Sequence, residues 1–203
     1  HQRYIPPYKK NASKDPLSLH ARDSLLPSFL CISNALPSAQ EFVRKGNERV
    51  LKARLSDAEF FVNSDRSISS IERRGKLAYV TFAEGLGSLL DRVERIEWLS
   101  EVLISELRLS EIDSHFLRRS AHLCKHDLVS QMVGEFPELQ GVLGGYFAET
   151  QGFDKEVCVA VSEHYLPIGL ESRIPKKPYS IALSLSDKLD SLVGIFGLGL
   201  KPS

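Results

Sequence analysis

The stretch that decides the fold of this chain is KGNERVLKARLSDAEFF, at residues 45–61. Four apolar residues recur at spacings of four, three and four, which is the period of one face of an α-helix. They are Leu51, Leu55, Ala58 and Val62. We therefore predict a helix from an N-cap at Ser38 to about residue 64, with this stripe buried and Phe60 and Phe61 in the core. Gly46 interrupts the pattern and predicts a kink or a junction of two helices.

The apolar pattern stays helical from about residue 67 nearly to the end of the chain. Ser110 with Asp113 has the spacing of a capping box, and Pro137 suits the first turn of a helix. The remaining predicted helices span residues 87–107, 110 to about 133, 137–152, 154–164 and 179–196.

Two short strands, at 4–8 and 28–33, are predicted before the helices. The predicted fold class is therefore mainly α. A helical domain at 77–203 follows a small β-containing N-terminal segment with linking helices, at 1–76. Because so short a strand pair needs sheet partners, and because the chain opens on His1, we expect a fragment from within a longer protein.

Composition limits the classes of function. The 203 residues carry 26 Lys and Arg against 26 Asp and Glu, so any contact with nucleic acid has to come from a local patch or from other parts of a larger subunit. The three cysteines form no CxxC pair, which favours a reducing cytoplasm and argues against a zinc site. The longest apolar run, at 192–200, is too short to span a bilayer.

The adjacent pair His126 and Asp127, with the distal Asp187, is the candidate for chemistry. This pattern resembles the HD superfamily of metal-dependent phosphohydrolases, in which histidines and aspartates hold a divalent cation that activates water. The first histidine of that motif is replaced here by Leu89, which cannot ligate a metal. We therefore expect that His126, Asp127 and Asp187 are degenerate positions of such a site and bind no metal. A phosphohydrolase with an incomplete site stays open as an alternative.

Five cations on the predicted helix are candidate contacts to RNA phosphates: Arg44, Lys45, Arg49, Lys52 and Arg54. Residues 45, 49 and 52 lie at spacings of four and three and share one face. The alternative is that Arg49 and Arg54 form internal salt bridges with the interleaved acids Glu48, Asp57 and Glu59. A second basic patch comprises Arg73, Arg74 and Lys76.

Several long motifs in the same order resemble the β subunit of bacterial two-subunit glycyl-tRNA synthetase. Besides residues 45–61 they are GLGSLLDRVERI at 85–96, LCKHDLV at 123–129, MVGEFPELQG at 132–141, EHYLP at 163–167 and DKLDSLVGIFG at 187–197. The resemblance covers nearly the whole chain. It departs from the family in the long polar loop at 9–22 and at His126, where the family usually has a small residue.

This resemblance implies an HD-like helical domain and a role in glycine–tRNA ligation. The chain would support ATP-dependent glycylation by binding and positioning tRNA, whereas the α subunit would carry the catalytic site and use ATP with Mg. No catalytic residue and no cofactor is then expected in this fragment. The implied partners are glycine tRNA and the α subunit, with no membrane and no DNA. A scaffold between subunits that touches no RNA is the further alternative.

Overall fold

A computed structural model describes residues 4–9 and 25–199 of the chain. Within them lie eight α-helices and two sheets of two strands each, so the prediction of a mainly α fold is confirmed. The helices are α1 Gln40–Arg66, α2 Ser70–Lys76, α3 Leu89–Glu106, α4 Glu111–Leu123, α5 Gln131–Glu135, α6 Val142–Thr150, α7 Lys155–Glu163 and α8 Pro178–Gly197. The strands are β1 Tyr4–Ile5, β2 Leu30–Cys31, β3 Thr81–Ala83 and β4 Gly87–Ser88.

The chain divides into two compact units, residues 1–64 and 65–203. The predicted boundary lies between residues 76 and 77, after α2. In the structure α2 lies within the second unit and packs on α3, α4 and α6 and on the 3₁₀ turn at His126–Val129. The helical domain therefore includes α2 when it is defined by contacts.

The first unit pairs β1 with β2 in antiparallel register, Tyr4 opposite Cys31 and Ile5 opposite Leu30. The Tyr4 hydroxyl donates a hydrogen bond of 3.2 Å to Oδ1 of Asn47 on α1. Asn47 is buried and in turn donates to the Val43 carbonyl oxygen at 3.0 Å. The Tyr4 ring also meets Phe29 edge to face, with ring centroids 5.2 Å apart. These contacts hold the sheet against α1 near Asn47.

Two predictions for α1 are wrong. The helix runs through Gly46 without a break, so no junction of two helices lies there, because a single glycine costs an α-helix only about 1 kcal/mol. The apolar stripe and Phe60 are not buried as predicted, since Leu55 of the stripe is 61% exposed and Phe60 is 67% exposed. A helical period predicts which residues share a face, whereas burial needs another element packed on that face, and the strands contact α1 at Asn47.

The second unit has its hydrophobic core where α3, α4, α7 and α8 pack together. Ser88 begins α3 with a capping box, because its hydroxyl accepts from the Asp91 amide while the Asp91 carboxylate accepts from the Ser88 amide. Ser110 is the predicted N-cap of α4, because its hydroxyl accepts from the Asp113 amide, whereas the Asp113 carboxylate accepts from the Ser110 hydroxyl and not from the Ser110 amide. The fully buried residues of this core include Leu77, Val93, Ile96, Leu117, Ala121, Ala160 and Leu183.

The predicted helix from residue 110 to about 133 is wrong in its second half. It ends at Leu123, because Lys125 adopts a left-handed backbone conformation with φ of 64°. A 3₁₀ turn at His126–Val129 and the short α5 follow. Gly141, with φ of 81°, likewise separates a 3₁₀ turn at Pro137–Leu139 from α6, where the sequence predicted one helix.

A hairpin of β3 and β4, with an irregular register between Thr81 and Ala83, was not predicted. Its strands are too short for a periodic signal to be read from the sequence. Among residues 4–9 and 25–199, no helix is both long enough and apolar enough to cross a membrane.

Candidate functional site

Asp127 is fully buried and works as a cap for α6. Its Oδ2 accepts hydrogen bonds from the amides of Gly141, at 2.6 Å, and Gly144, at 3.0 Å. The sequence offers α6 no capping side chain of its own, because Gly141 is its N-cap residue. A carboxylate at this position also interacts favourably with the positive end of the helix dipole. The Asp127 carboxylate therefore stabilises the first turn of α6.

His126 is buried beside Asp127 and turns back towards α4. Its Nδ1 donates to the Leu123 carbonyl oxygen at 2.6 Å, which fixes Nε2 as the unprotonated nitrogen of the neutral ring. Burial lowers the pKa of His126, against the opposing effect of Asp127. The imidazole is thus neutral and held by the last turn of α4.

Asp187, on α8, is bound by two cations. Lys125 Nζ and Arg92 Nη2 each lie 2.8 Å from its Oδ1. Burial alone would raise the pKa of this carboxyl, but the charges of Lys125 and its other neighbours outweigh burial and lower the pKa to about 2. Arg92 also reaches Asp190, at 3.5 Å, and Arg95 pairs with Asp190 at 2.5 Å. Three cations and two carboxylates therefore form one network between α3, α8 and Lys125.

Lys125 has only 1% of its surface exposed. Its ammonium lies 3.3 Å from Nε2 of His164 and 4.1 Å from the centre of the Tyr165 ring. Since His164 donates through Nδ1 to the Val161 carbonyl oxygen at 2.6 Å, Nε2 is the acceptor for the ammonium. Burial, and then the charge of Lys125, lower the pKa of His164 to about 3. Neither Lys125 nor His164 was predicted as a site residue, although they lie in the motifs LCKHDLV and EHYLP.

The structure does not bring His126, Asp127 and Asp187 together as one set of ligands. Asp127 binds backbone amides, His126 faces α4, and Asp187 is taken by Lys125 and Arg92. Across the described part of the chain, no cluster of three His, Cys, Asp or Glu side chains has a geometry that would hold a metal. Leu89, in place of the first histidine, belongs to the hydrophobic core. These residues do not fit the metal centre of an HD phosphohydrolase.

The neutral, buried His164 predicts loss of stability in mild acid. Its folded pKa of about 3 is below the ordinary value of 6.5, so the unfolded chain takes up the proton first. Stability from this group is complete above pH 6.5 and falls by about 1.4 kcal/mol per pH unit as the pH drops from there towards the folded pKa of about 3. The charged and titratable groups that face it are Lys125, Asp187, Arg92 and Tyr165.

Urea unfolding followed by tryptophan fluorescence measures this slope, because Trp98 is the single tryptophan and lies in the second unit. We expect His164→Gln to reduce the slope by about 1.4 kcal/mol per pH unit and the matched variant of the exposed His115, His115→Gln, to leave it unchanged. Equal slopes for the wild type and His164→Gln would contradict the prediction.

The five predicted cations of α1 differ in their pairing. Arg44 forms ion pairs with Glu41 at 2.6 Å and Glu48 at 2.5 Å, and Lys45 is 3.5 Å from Glu41. The other three are exposed, and within residues 4–9 and 25–199 no acidic side chain forms an ion pair with them: Arg49, Lys52 and Arg54. The predicted internal salt bridges of Arg49 and Arg54 are therefore not formed among these residues.

The second basic patch is largely internal. Arg73 is 1% exposed, with its guanidinium 4.0 Å from the centre of the Phe147 ring. Arg74 pairs with Glu97 at 3.0 Å and donates to the His122 carbonyl oxygen. Lys76 alone of the three is exposed. Adjacent residues on a helix point in different directions, so these three basic residues do not form one charged surface.

Comparison with known proteins gives one consistent family. The family described as "Glycyl-tRNA synthetase beta subunit" matches residues 1–203. The chain is similar to the glycine–tRNA ligase beta subunits of Acaryochloris marina, 41% identical, and Trichodesmium erythraeum, 42% identical, each over all of this chain and 27% of the relative. It is 43% identical to that of Syntrophomonas wolfei subsp. wolfei, over all of this chain and 28% of the relative. The chain thus spans about a quarter of the length of these relatives.

Proposed function

Because the chain belongs to the family of glycyl-tRNA synthetase beta subunits, we propose that it is part of the β subunit of a cytoplasmic glycine–tRNA ligase and helps to bind and position tRNA. Its partners are then glycine tRNA and the α subunit of the ligase. In this proposal the α subunit carries the catalytic site and uses ATP with Mg, and the present chain contributes no catalytic residue.

The observation that carries the tRNA role is the unpaired cationic face of α1. Arg49 and Lys52 lie three residues apart on a helix, so their side chains project from neighbouring positions of one face. Both are exposed and form no ion pair with the described residues, so binding a phosphate breaks no existing salt bridge. Lys45 continues this face, and its pair with Glu41 is long and 70% exposed on the lysine side, which makes it weak.

Such a face suits the phosphate backbone of RNA. Each phosphate neutralised by a lysine or arginine releases condensed counterions, which makes the affinity depend on salt. Contacts of this kind set the orientation of the nucleic acid and carry no sequence information by themselves. The proposed contribution of α1 is therefore to orient tRNA, with selection of glycine tRNA resting on further contacts.

Charge reversal on this face tests the proposal. We expect Lys52→Glu and Arg49→Glu each to weaken binding of glycine tRNA by roughly tenfold at low salt and to reduce the slope of log affinity against log salt by about 1. Fluorescence anisotropy with labelled glycine tRNA across a salt series measures both quantities. The wild-type chain and a non-cognate tRNA are measured beside them.

Lys155→Glu is the matched control, because Lys155 is an exposed cation on α7, outside the five candidates. We expect it to leave the salt slope unchanged. Absence of binding by the wild-type chain at low salt, or an equal loss in Lys155→Glu and Lys52→Glu, would argue against a tRNA contact on α1.

A scaffold between subunits is the second candidate, and the exposed apolar residues of α1 favour it. Val50, Leu55 and Phe60 are exposed on the helix that carries the cations. Large apolar side chains in such positions are typical of surfaces that meet another protein. Association with the α subunit that is independent of salt, together with no affinity for tRNA, would support this candidate. No geometry among the described residues favours the phosphohydrolase alternative.

A further inference from the structure

Two groups of the kind that bind transition metals converge on the ammonium of Lys125. Oδ1 of Asp187, on α8, lies 2.8 Å from Nζ, and Nε2 of His164, at the end of α7, lies 3.3 Å from it. A carboxylate oxygen and an unprotonated imidazole nitrogen are common ligands of zinc and similar divalent cations. The point on which they converge is occupied by a side chain of the protein itself.

We propose that Lys125 is the resident cation of this site, and that its ammonium takes the place of a divalent metal ion between Asp187 and His164. The three residues come from α7, α8 and the segment after α4, so the ammonium joins elements that a metal would otherwise join. This inference concerns the core of the second unit and does not depend on the proposed contact with tRNA.

The backbone at Lys125 supports this assignment. A left-handed conformation, with φ of 64°, is uncommon for a residue with a side chain and costs roughly 1 kcal/mol. It ends α4 and directs a lysine inward, where the side chain is almost completely buried. A buried ammonium is costly unless it is paired, and here Asp187, His164 and the Tyr165 ring surround it.

The surrounding charges support the same conclusion. Lys125 pairs with Asp187, Arg92 pairs with Asp187 and Asp190, and Arg95 pairs with Asp190, so three cations already face two carboxylates. A divalent ion added here would be repelled by these cations and would meet an Asp187 oxygen that already accepts from Lys125 and Arg92. Removal of the lysine side chain leaves Asp187 Oδ1 and His164 Nε2 facing one space, with one cation fewer. A metal ion then has two ligands and room for water molecules.

Thermal unfolding of the full chain in EDTA and in zinc chloride tests the proposal. We expect the Tm of the wild type to be the same in both. Lys125→Ala should unfold at a lower Tm in EDTA, and zinc should raise its Tm by roughly 5 °C. The double variant Lys125→Ala with His164→Ala should not respond to zinc. Lys188→Ala is the matched control, since Lys188 donates to the Leu166 carbonyl oxygen from the same helix as Asp187.

Two results would overturn the inference. One is a wild-type Tm that falls in EDTA and returns with zinc, or stoichiometric metal in the purified wild type, since the native cation would then be a metal. The other is a Lys125→Ala chain that zinc does not stabilise beyond the response of Lys188→Ala. If Lys125→Ala does not fold in EDTA, its refolding in zinc gives the same decision: recovery of Trp98 fluorescence supports the proposal and no recovery contradicts it.

Discussion

Phe147→Ala should lower the free energy of unfolding of the second unit by about 4 kcal/mol. Phe147 lies on α6 with none of its surface exposed, so truncation leaves a large cavity. The ring also covers the buried guanidinium of Arg73, whose Nε and Nη1 have no hydrogen-bond acceptor among the described residues. Loss of the ring therefore adds an uncovered cation to the cost of the cavity.

Urea unfolding followed by the fluorescence of Trp98 measures this loss in the second unit. Phe147→Leu is the matched control, because leucine fills most of the volume and removes only the aromatic face above Arg73. We expect it to cost about 1.5 kcal/mol. A loss below 1 kcal/mol for Phe147→Ala would show that α6 does not depend on this packing.

Asp127→Ala is expected to lower the free energy of unfolding by about 3 kcal/mol. The substitution leaves the amides of Gly141 and Gly144 buried without an acceptor, and each such donor costs roughly 1–3 kcal/mol. It also removes the negative charge beside the first turn of α6. If Asp127 acted as a metal ligand, its removal would instead affect stability mainly when a metal was present.

Asp127→Asn separates these effects, because an asparagine oxygen can still accept from both amides while the charge is lost. We expect it to cost about half as much as Asp127→Ala, with the same value in EDTA and in zinc chloride. The exposed Asp154, at the N-cap of α7 without a side-chain cap hydrogen bond, provides a control for acidic residues at helix starts. A loss for Asp127→Ala no greater than for Asp154→Ala would contradict the capping role.

Local signals predicted most helices well. Ser110 with Asp113 marked the start of α4, and the apolar periods over 87–107, 154–164 and 179–196 match α3, α7 and α8 closely. These signals come from interactions between residues three or four positions apart, so they can be read from the sequence alone. The break at Lys125 was missed because a left-handed lysine has no local signal, unlike the glycines at turns.

The candidate site was predicted less well than the fold. The sequence drew attention to His126 and Asp127 as residue types that can bind a metal, but residue types do not show which groups these side chains face. Whether a buried carboxylate binds a metal ion, a lysine or arginine side chain, or backbone amides depends on which groups face it. Lys125 and His164, which define the surroundings of Asp187, are 39 residues apart in the chain and meet only in the folded unit.

By itself the sequence determined the mainly α fold and the family, because helix periods, caps and long ordered motifs are properties of neighbouring residues. The tertiary structure decided which faces are buried, as the exposed Leu55 on α1 shows, and which partners the charged side chains have. It also decided that Asp127 caps α6 while Asp187 binds Lys125. The physical reason is that burial and electrostatic pairing arise between elements distant in sequence, and their energies depend on the geometry of packing.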